Sequence, residues 1–300
     1  MIPLFDLHCD TLLELYKKNE DIQKNSLHIS FEKAKNFNPY IQISAIWSPS
    51  SLFDEEAYQN YIKVRDYLIR QNIYFATSAS GLRQKTFILA IEDARLLNGK
   101  IERLYDLYND GVRFLTLNWQ GSSIIGGAWD TTYGLTQFGK EVAIKCFDLG
   151  IIPDISHSSI KTSEELCELC STFKKPLIAS HSNSFSICNH KRNLNDNLFK
   201  NVVKMNGLVG ISLAKEHISS SHIVTSDDVL KHIYHYLSLD GENTIALGCD
   251  FDGVSALPID ISSISELEML YYKIESSFGE KIAKKIFFYN AYNFIRKNLV

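Results

Sequence analysis

The chain has 300 residues, of which 45% are apolar, and a formal net charge of -4. This size and apolar content allow one large buried core, so we predict a single domain over residues 1–300. The weakly acidic charge excludes the basic surface that a nucleic-acid backbone requires, and no apolar stretch is long enough for a membrane-spanning helix. At the N-terminus, Met1 to Asp6 lack the basic segment of a secretory signal. We therefore expect a cytoplasmic protein that binds neither nucleic acid nor a membrane.

Short apolar segments recur along the chain and predict eight β-strands. Most of them are apolar throughout rather than alternating, as is typical of parallel strands that are covered on both faces. In chain order, the predicted strands are 3–8, 41–47, 87–92, 112–118, 151–156, 177–181, 208–213 and 245–250.

Amphipathic helical patterns lie between these strands. Residues 54–72 and 98–109 carry apolar side chains at spacings of three and four. Thr136 can cap a helix that continues to residue 149, and Thr225 can cap another. Residues 265–299 predict two amphipathic helices that pack on the domain formed by the strands.

The alternation of strands and helices predicts an α/β fold of the (β/α)8 or TIM barrel type, which takes about 250 residues. A doubly wound open sheet is the alternative architecture. It is disfavoured because no glycine-rich phosphate loop follows the first predicted strand.

Residue types that bind metal ions end or directly follow five of the predicted strands, at His8, Glu92, His157, His181 and Asp250. In a (β/α)8 barrel the active site forms at these C-terminal strand ends. Imidazole and carboxylate ligands without thiolate suit zinc, with manganese, cobalt or iron as alternatives. One glutamate can bridge two ions, so five side chains suffice for a pair of zinc ions. The candidate metal ligands are His8, Asp10, Glu92, His157 and His181, with Glu92 as the bridge.

Asp250 ends the eighth predicted strand. A carboxylate beside a metal-bound water can accept its proton during attack and pass it to a leaving amine. We therefore predict that Asp250 is the catalytic acid/base. Asp252, before Gly253, is interpreted as a turn or cap residue.

A further set of short segments matches one family in order and spacing. They are DLHCDT at 6–11, AIE at 90–92, GVRFLTL at 111–117, DISH at 154–157, SHS at 180–182, RN at 192–193 and GCDFDG at 248–253. With these segments the chain resembles the membrane dipeptidase (renal dipeptidase) family of metallopeptidases, peptidase family M19, within the amidohydrolase superfamily.

The resemblance implies a barrel of the metal-dependent hydrolase type that cleaves dipeptides with two zinc ions and a metal-bridging hydroxide. It implies that His8 and Asp10 bind one zinc ion, that His157 and His181 bind the other, and that Glu92 bridges them.

The resemblance also implies that Arg192 binds the terminal carboxylate of the dipeptide, with Asn193 beside it as a second substrate contact. Physical chemistry supports the role of Arg192, because a guanidinium group matches a carboxylate with two parallel hydrogen bonds. A dipeptidase needs such a clamp in order to exclude longer chains.

The chain departs from the family pattern after the fourth strand, where Asn118, Trp119 and Gln120 replace a substrate-contacting histidine. Asn118 or Gln120 could donate a hydrogen bond to an oxyanion, and Asn118 is the candidate substrate contact. After the seventh strand, Lys215 and His217 are expected to be solvated loop residues.

An alternative function is hydrolysis of another small amide, lactam or ester, because the barrel and its metals serve many leaving groups. Arg192 discriminates the two functions, since only a dipeptidase depends on a free C-terminal carboxylate. The aromatic residues within 271–294 fit either packing on the barrel or a homodimer interface. The side-chain and stereochemical preference for the substrate and the physiological metal stay open.

Overall fold

Eight parallel strands form a closed barrel in the computed structural model, which describes residues 1–53, 55–71 and 73–299. Each strand pairs with the next, and β8 pairs with β1 through Asp6 and Leu247. The predicted (β/α)8 barrel is thereby confirmed. The strands are β1 Ile2–Asp6, β2 Phe37–Trp47, β3 Lys85–Glu92, β4 Val112–Thr116, β5 Ile152–Asp154, β6 Ile178–Ala179, β7 Leu208–Ile211 and β8 Ile245–Leu247.

The strand positions agree with the prediction, but several strands end earlier than predicted. β1 ends at Asp6, before His8, and β6 covers only Ile178–Ala179, before His181. Candidate metal ligands therefore lie mostly in the loops that follow the strands. Glu92 is the exception, because it is the final residue of β3.

Helices cover the outside of the barrel. Thr136 caps α4 by accepting a hydrogen bond from Gly139 N, and Thr225 begins α8 with a capping box. The helices are α1 Thr11–Lys18, α2 Glu55–Arg70, α3 Arg103–Asn109, α4 Gln137–Leu149, α5 Ile160–Phe173, α6 Asp196–Lys204, α7 Lys215–Ile218, α8 Ser226–Ser238, α9 Leu267–Phe278, α10 Glu280–Lys284 and α11 Asn290–Asn298.

Two predicted helices differ from the structure in their bounds. The predicted ends of 54–72, Asp54 and Asn72, lie outside the described residues. The predicted helix 98–109 is shorter, because Asn98 adopts a left-handed backbone with a φ of 47° after a short 3-10 turn, Ala94–Leu97. Its helical part begins only at Arg103.

The C-terminal helices close the N-terminal end of the barrel. A π-helical turn, Lys285–Tyr289, connects α10 to α11. Within it, the ring of Phe288 lies 6.4 Å from that of Phe5 in β1. Asn290 Nδ2 donates a 2.7 Å hydrogen bond to Ile245 O in β8. The functional loops at the opposite end are therefore left open.

The interior of the barrel is packed with apolar side chains rather than hollow. Ile41 and Ile43 of β2 point inward together with Phe5, Ile88 and Phe114, and all five are almost completely buried. A second apolar layer lies between the strands and the helices. Over the described part of the chain, no helix combines the length and apolar character needed to cross a bilayer.

Candidate metal centre and active site

The ends of β1 and β8 are joined by hydrogen bonds that continue beyond the strands. Asp6 Oδ1 accepts hydrogen bonds from His8 N at 3.2 Å and from Cys249 N at 2.9 Å. Asp250 N in turn donates to His8 O at 3.1 Å. This pairing places Asp250 Oδ1 3.9 Å from His8 Nε2. The junction between β8 and β1 thus places the candidate ligand His8 beside the candidate acid/base Asp250.

Glu92 lies at the centre of the side chains that end the other strands. Its Oε1 lies 2.9 Å from His157 Nε2, 3.5 Å from His181 Nε2 and 3.8 Å from His8 Nε2. Asp10 Oδ2 lies 3.5 Å from His8 Nε2. The structure therefore brings all five sequence-predicted ligands together. Two groups with converging ligand atoms share Glu92: His8, Asp10 and Glu92, and Glu92, His157 and His181. A third group joins His8 and His181 to Asp250.

The donor atoms of this cluster fit a bound cation. His157 Nδ1 lies 3.1 Å from Trp119 O, and since a carbonyl only accepts, the ring proton sits on Nδ1. The lone pair on His157 Nε2 therefore points toward Glu92 and toward His181 Nε2, 2.9 Å away. His8 Nε2 and Asp10 Oδ1 are buried without a hydrogen-bond partner among the described residues. Buried polar atoms of this kind need a partner, and a bound cation would provide one.

The electrostatics point the same way, because carboxylates crowd around His8. Burial raises the pKa of Glu92 well above its usual value, and Asp10 adds to this effect. Burial also raises the pKa of Asp250 to about 7, against the opposing effect of His8 and Arg192. Burial alone would lower the pKa of His8, but Glu92, Asp10 and Asp250 outweigh it and raise the pKa to about 10. A bound cation would relieve this concentration of negative charge.

The two other histidines stay neutral. Burial lowers the pKa of both His157 and His181 well below the usual value, and nearby Arg192 and His8 lower it further. Neutral imidazole is the form that binds metal ions.

A cavity of about 490 Å³ lies against this cluster, at the C-terminal ends of the strands. Its size suits a small molecule. Aromatic rings form part of its wall, with the Trp47 and Trp119 rings 4.7 Å apart. The lining includes Asp10, Glu92, His157, Asp250, Trp47, Trp119, Gln120, Trp129, His190, Arg192, Glu216 and His217.

Arg192 is buried in the wall of this cavity. Only 6% of the residue is exposed, and its Nη2 has no hydrogen-bond partner within the part of the chain that the structure describes. Burial lowers the pKa of its guanidinium group, while Asp250 and Glu92 counteract the effect. A buried guanidinium with an unused donor fits an anionic ligand in the cavity.

The two asparagines proposed as substrate contacts occupy different positions. Asn118 is 2% exposed, and neither polar atom of its side chain has a partner among the described residues. Asn193 Nδ2 donates to Cys188 O at 2.9 Å and to His217 O at 2.8 Å, so it holds the Arg192 loop against the loop after β7. Neither asparagine lines the cavity, whereas Gln120 does. Their contact with substrate stays a prediction.

His217 lines the cavity and is half-buried, whereas the sequence predicted a solvated loop residue. Its ring centroid lies 4.7 Å from that of His190, and burial lowers its pKa to about 2. The hydrogen bond from Asn193 holds its backbone over the cavity. Trp47 and Trp129 also line the cavity, and the sequence did not predict this for either residue. Trp47 ends β2 and could have been found from its strand-end position, as the metal ligands were.

A closed parallel barrel with histidines and carboxylates clustered at the C-terminal ends of its strands defines the class of (β/α)8 barrels with a candidate metal centre. Within this class the match is specific. A family model described as membrane dipeptidase, peptidase family M19, covers residues 1–298, and the chain belongs to this family of metallopeptidases. The resemblance found in the sequence is confirmed.

Individual relatives agree with this assignment. An uncharacterised dipeptidase of Schizosaccharomyces pombe is 30% identical over 196 residues, which are 62% of this chain and 46% of that protein. The match thus spans less than half the length of this relative.

Two solved structures have the same fold, each with a TM-score of 0.91 and 99% coverage of both chains. One is dipeptidase AC, a metallopeptidase of family M19, at 23% identity. The other is a metallopeptidase from Rhodobacter sphaeroides bound to a phosphinate mimic of the dipeptide L-Ala-D-Ala, at 22% identity.

Proposed function

We propose that this protein is a dipeptidase that hydrolyses the peptide bond of dipeptides with two zinc ions. The observation that carries the proposal is the buried guanidinium of Arg192, whose Nη2 has no hydrogen-bond partner among the described residues, in the same cavity as the cluster that shares Glu92. Family membership supports it. So does the relative from Rhodobacter sphaeroides, which was solved with a dipeptide mimic.

The residues that would hold the two ions are those whose donor atoms converge. His8 and Asp10 would hold one ion, His157 and His181 the other, and Glu92 would bridge them. When bound, the ions would polarise a peptide carbonyl and make water a stronger nucleophile at neutral pH. The burial of these side chains keeps bulk water away from the reacting groups and strengthens their electrostatic effect.

Arg192 would orient the substrate by binding its C-terminal carboxylate. The neighbouring His190 supports this geometry, because its Nδ1 accepts a hydrogen bond from Arg192 N at 3.2 Å and thereby fixes the backbone of the clamp. A charged clamp in the wall of the cavity favours a substrate that ends one residue after the scissile bond.

Asp250 would move the proton. Its carboxylate lines the cavity, and burial raises its pKa above the usual range of an aspartate, the direction that suits a group that both accepts and releases a proton near neutral pH. Asp250 would accept a proton from the attacking water and pass it to the leaving amine nitrogen. Arg192 acts at a distance from this step, by holding the substrate in register.

The test is hydrolysis of a small dipeptide library and of the same dipeptides with an amidated C-terminus, with metal content measured on each sample. We expect chelation to abolish hydrolysis and zinc to restore it. We expect amidation to lower kcat/KM on the order of 10²-fold, which corresponds to the free energy of the lost charge-assisted hydrogen bonds.

Arg192→Met should remove most of this discrimination, whereas Lys191→Met, an exposed neighbour, should preserve it. Undiminished turnover in metal-free protein would refute the metal-dependent mechanism. Equal turnover of free and amidated substrates by the wild type would instead favour the alternative, hydrolysis of another small amide, lactam or ester.

A further inference from the structure

A buried hydrogen-bonded chain lies behind His181, on the side away from the cavity. It begins at Asp154, the last residue of β5, which is 2% exposed. It continues through Ser180, which follows β6 and is equally buried. Ser180 Oγ lies 2.8 Å from His181 Nδ1. The chain therefore joins a carboxylate to the ring nitrogen of His181 that faces away from Glu92.

Asp154 uses both carboxylate oxygens as acceptors. Oδ1 accepts from Ser156 N and from Ser180 N, each at 2.9 Å. Oδ2 accepts from Thr116 Oγ1 at 2.8 Å and from Ser180 Oγ. Four donors converge on one side chain, and an ionised carboxylate is the group that can accept from all of them.

The single hydroxyl proton of Ser180 is consequently committed to Asp154. Ser156 Oγ is a second possible acceptor at 3.4 Å, but the carboxylate is closer and charged. With its proton engaged, Ser180 Oγ can only accept from His181. The ring proton of His181 therefore sits on Nδ1, and the lone pair on Nε2 points toward Glu92.

We propose that Asp154 is a positioning residue that sets the tautomer of His181 through Ser180 and so keeps Nε2 available for a metal ion. The proposal rests on the metal centre proposed above. It gives His181 the same tautomer that the carbonyl of Trp119 imposes on His157. Outer partners of this kind fix ring orientation and tautomer in many metal sites.

The surroundings hold the chain in one arrangement. His181 N donates to Ser156 Oγ at 3.0 Å. A Cβ added at Gly210 or at Gly248 would lie 1.8 Å from Ser180 O, so the backbone of Ser180 fits closely against β7 and β8. Because the backbone of Ser180 is closely packed, a substitution that preserves shape should change the hydrogen bonding without moving the ring.

Asp154→Asn is such a substitution. The backbone donors Ser156 N and Ser180 N should keep the amide oxygen on their side, which places the amide nitrogen against Ser180 Oγ. The amide would then donate to Ser180, and the hydroxyl of Ser180 would donate to His181 Nδ1. The ring proton of His181 would shift to Nε2, where a metal ion must bind.

The experiment measures the tautomer and the zinc affinity separately. In metal-free protein labelled with ¹⁵N-histidine, and with the His181 signals assigned by their loss in His181→Gln, we expect an Nδ1–H ring in the wild type and an Nε2–H ring in Asp154→Asn. Zinc affinity, measured by competition with a chelating dye, should fall about 10–100-fold. Thr116→Val removes the other hydroxyl donor to Asp154 Oδ2 and should leave both readouts close to those of the wild type.

An unchanged tautomer and an unchanged affinity in folded Asp154→Asn would overturn the proposal. If that variant does not fold, Ser180→Ala and Ser180→Thr carry the test: affinity should fall in the first and recover in the second, and equal affinities would refute the chain. A wild type that binds no zinc would contradict the proposed function, while the tautomer of His181 would still decide whether Asp154 sets it.

Discussion

Asp250 combines an uncommon backbone conformation with an unusual ionisation. Its φ of 62° lies in the left-handed region, which few residues other than glycine adopt. The carboxylate is thereby aimed at His8 and into the cavity. Gly253 leaves the necessary space, since a Cβ there would lie 2.5 Å from Asp250 Oδ1 and 2.1 Å from Asp10 Oδ2. Such a conformation at a site is consistent with a functional constraint.

Asp250→Asn tests this residue. The amide keeps the shape of the side chain but cannot accept a proton, so turnover should fall on the order of 10²–10⁴-fold while zinc content stays the same. Steady-state kinetics and elemental analysis on one sample measure both quantities. A near-normal rate would remove Asp250 from the acid/base role.

Individual site residues differ in how far the sequence reveals them. Glu92 and the histidines could be assigned to the site from the sequence, because the C-terminal ends of all the barrel strands lie at one face, whatever the conformation of the loops. Trp129 could not be assigned to the site from the sequence. It lies in the long connection between β4 and α4, which has no helical or strand periodicity. Its position depends on a hydrogen bond from Trp129 N to His157 O, which joins residues distant in the sequence.

At the scale of elements, α8 helps to fix the loop that carries Arg192. His232 on α8 is fully buried and accepts a hydrogen bond at Nδ1 from Ser184 N, at 3.0 Å. Its Nε2 donates to Ile218 O at the end of α7, at 2.9 Å. One neutral imidazole thus connects α8 to the loops after β6 and β7. No helical periodicity distinguishes such a residue from an ordinary apolar contact.

The stability of the protein should depend on pH through His232. Burial lowers its pKa to about 4, against 6.5 for an unperturbed histidine. Below pH 6.5 the unfolded chain binds a proton that the folded protein does not accept. The contribution of His232 to the free energy of unfolding is therefore complete above this pH and decreases as the pH falls toward 4. The loss is about 2–3 kcal/mol.

Urea unfolding of metal-free protein at pH 7 and pH 4.5 measures this loss. His232→Gln should lose less stability than the wild type over this interval, whereas replacement of the exposed His222 by Gln should change nothing. Identical pH dependence in the wild type and His232→Gln would contradict the assignment.

At the scale of the whole molecule, the candidate ligands come from four separate strands. His8 follows β1, Glu92 ends β3, His157 follows β5 and His181 follows β6. Their convergence requires the closed barrel. A cation would therefore bind the folded chain far more tightly than the unfolded one. Metal binding and folding are therefore expected to be linked.

Zinc should accordingly raise the melting temperature. At a free concentration 100 times the dissociation constant, one bound ion adds about 2.7 kcal/mol to the free energy of unfolding. Glu92→Ala should lose most of this gain, because Glu92 belongs to both of the ligand groups that are proposed to hold an ion. Differential scanning calorimetry with elemental analysis measures the effect, and the exposed Glu102→Ala is the control. Two ions per chain in Glu92→Ala would eliminate the bridge.

The pairing of β8 with β1 has a consequence for how the protein becomes active during its synthesis. All five candidate ligands precede residue 182. Asp250 follows β8, the strand that closes the barrel, so it is synthesised after all of them. Under the proposed mechanism, a chain that ends before β8 would lack both the closed barrel that brings its ligands together and the carboxylate that moves the proton. Hydrolysis would then begin only once the fold is complete.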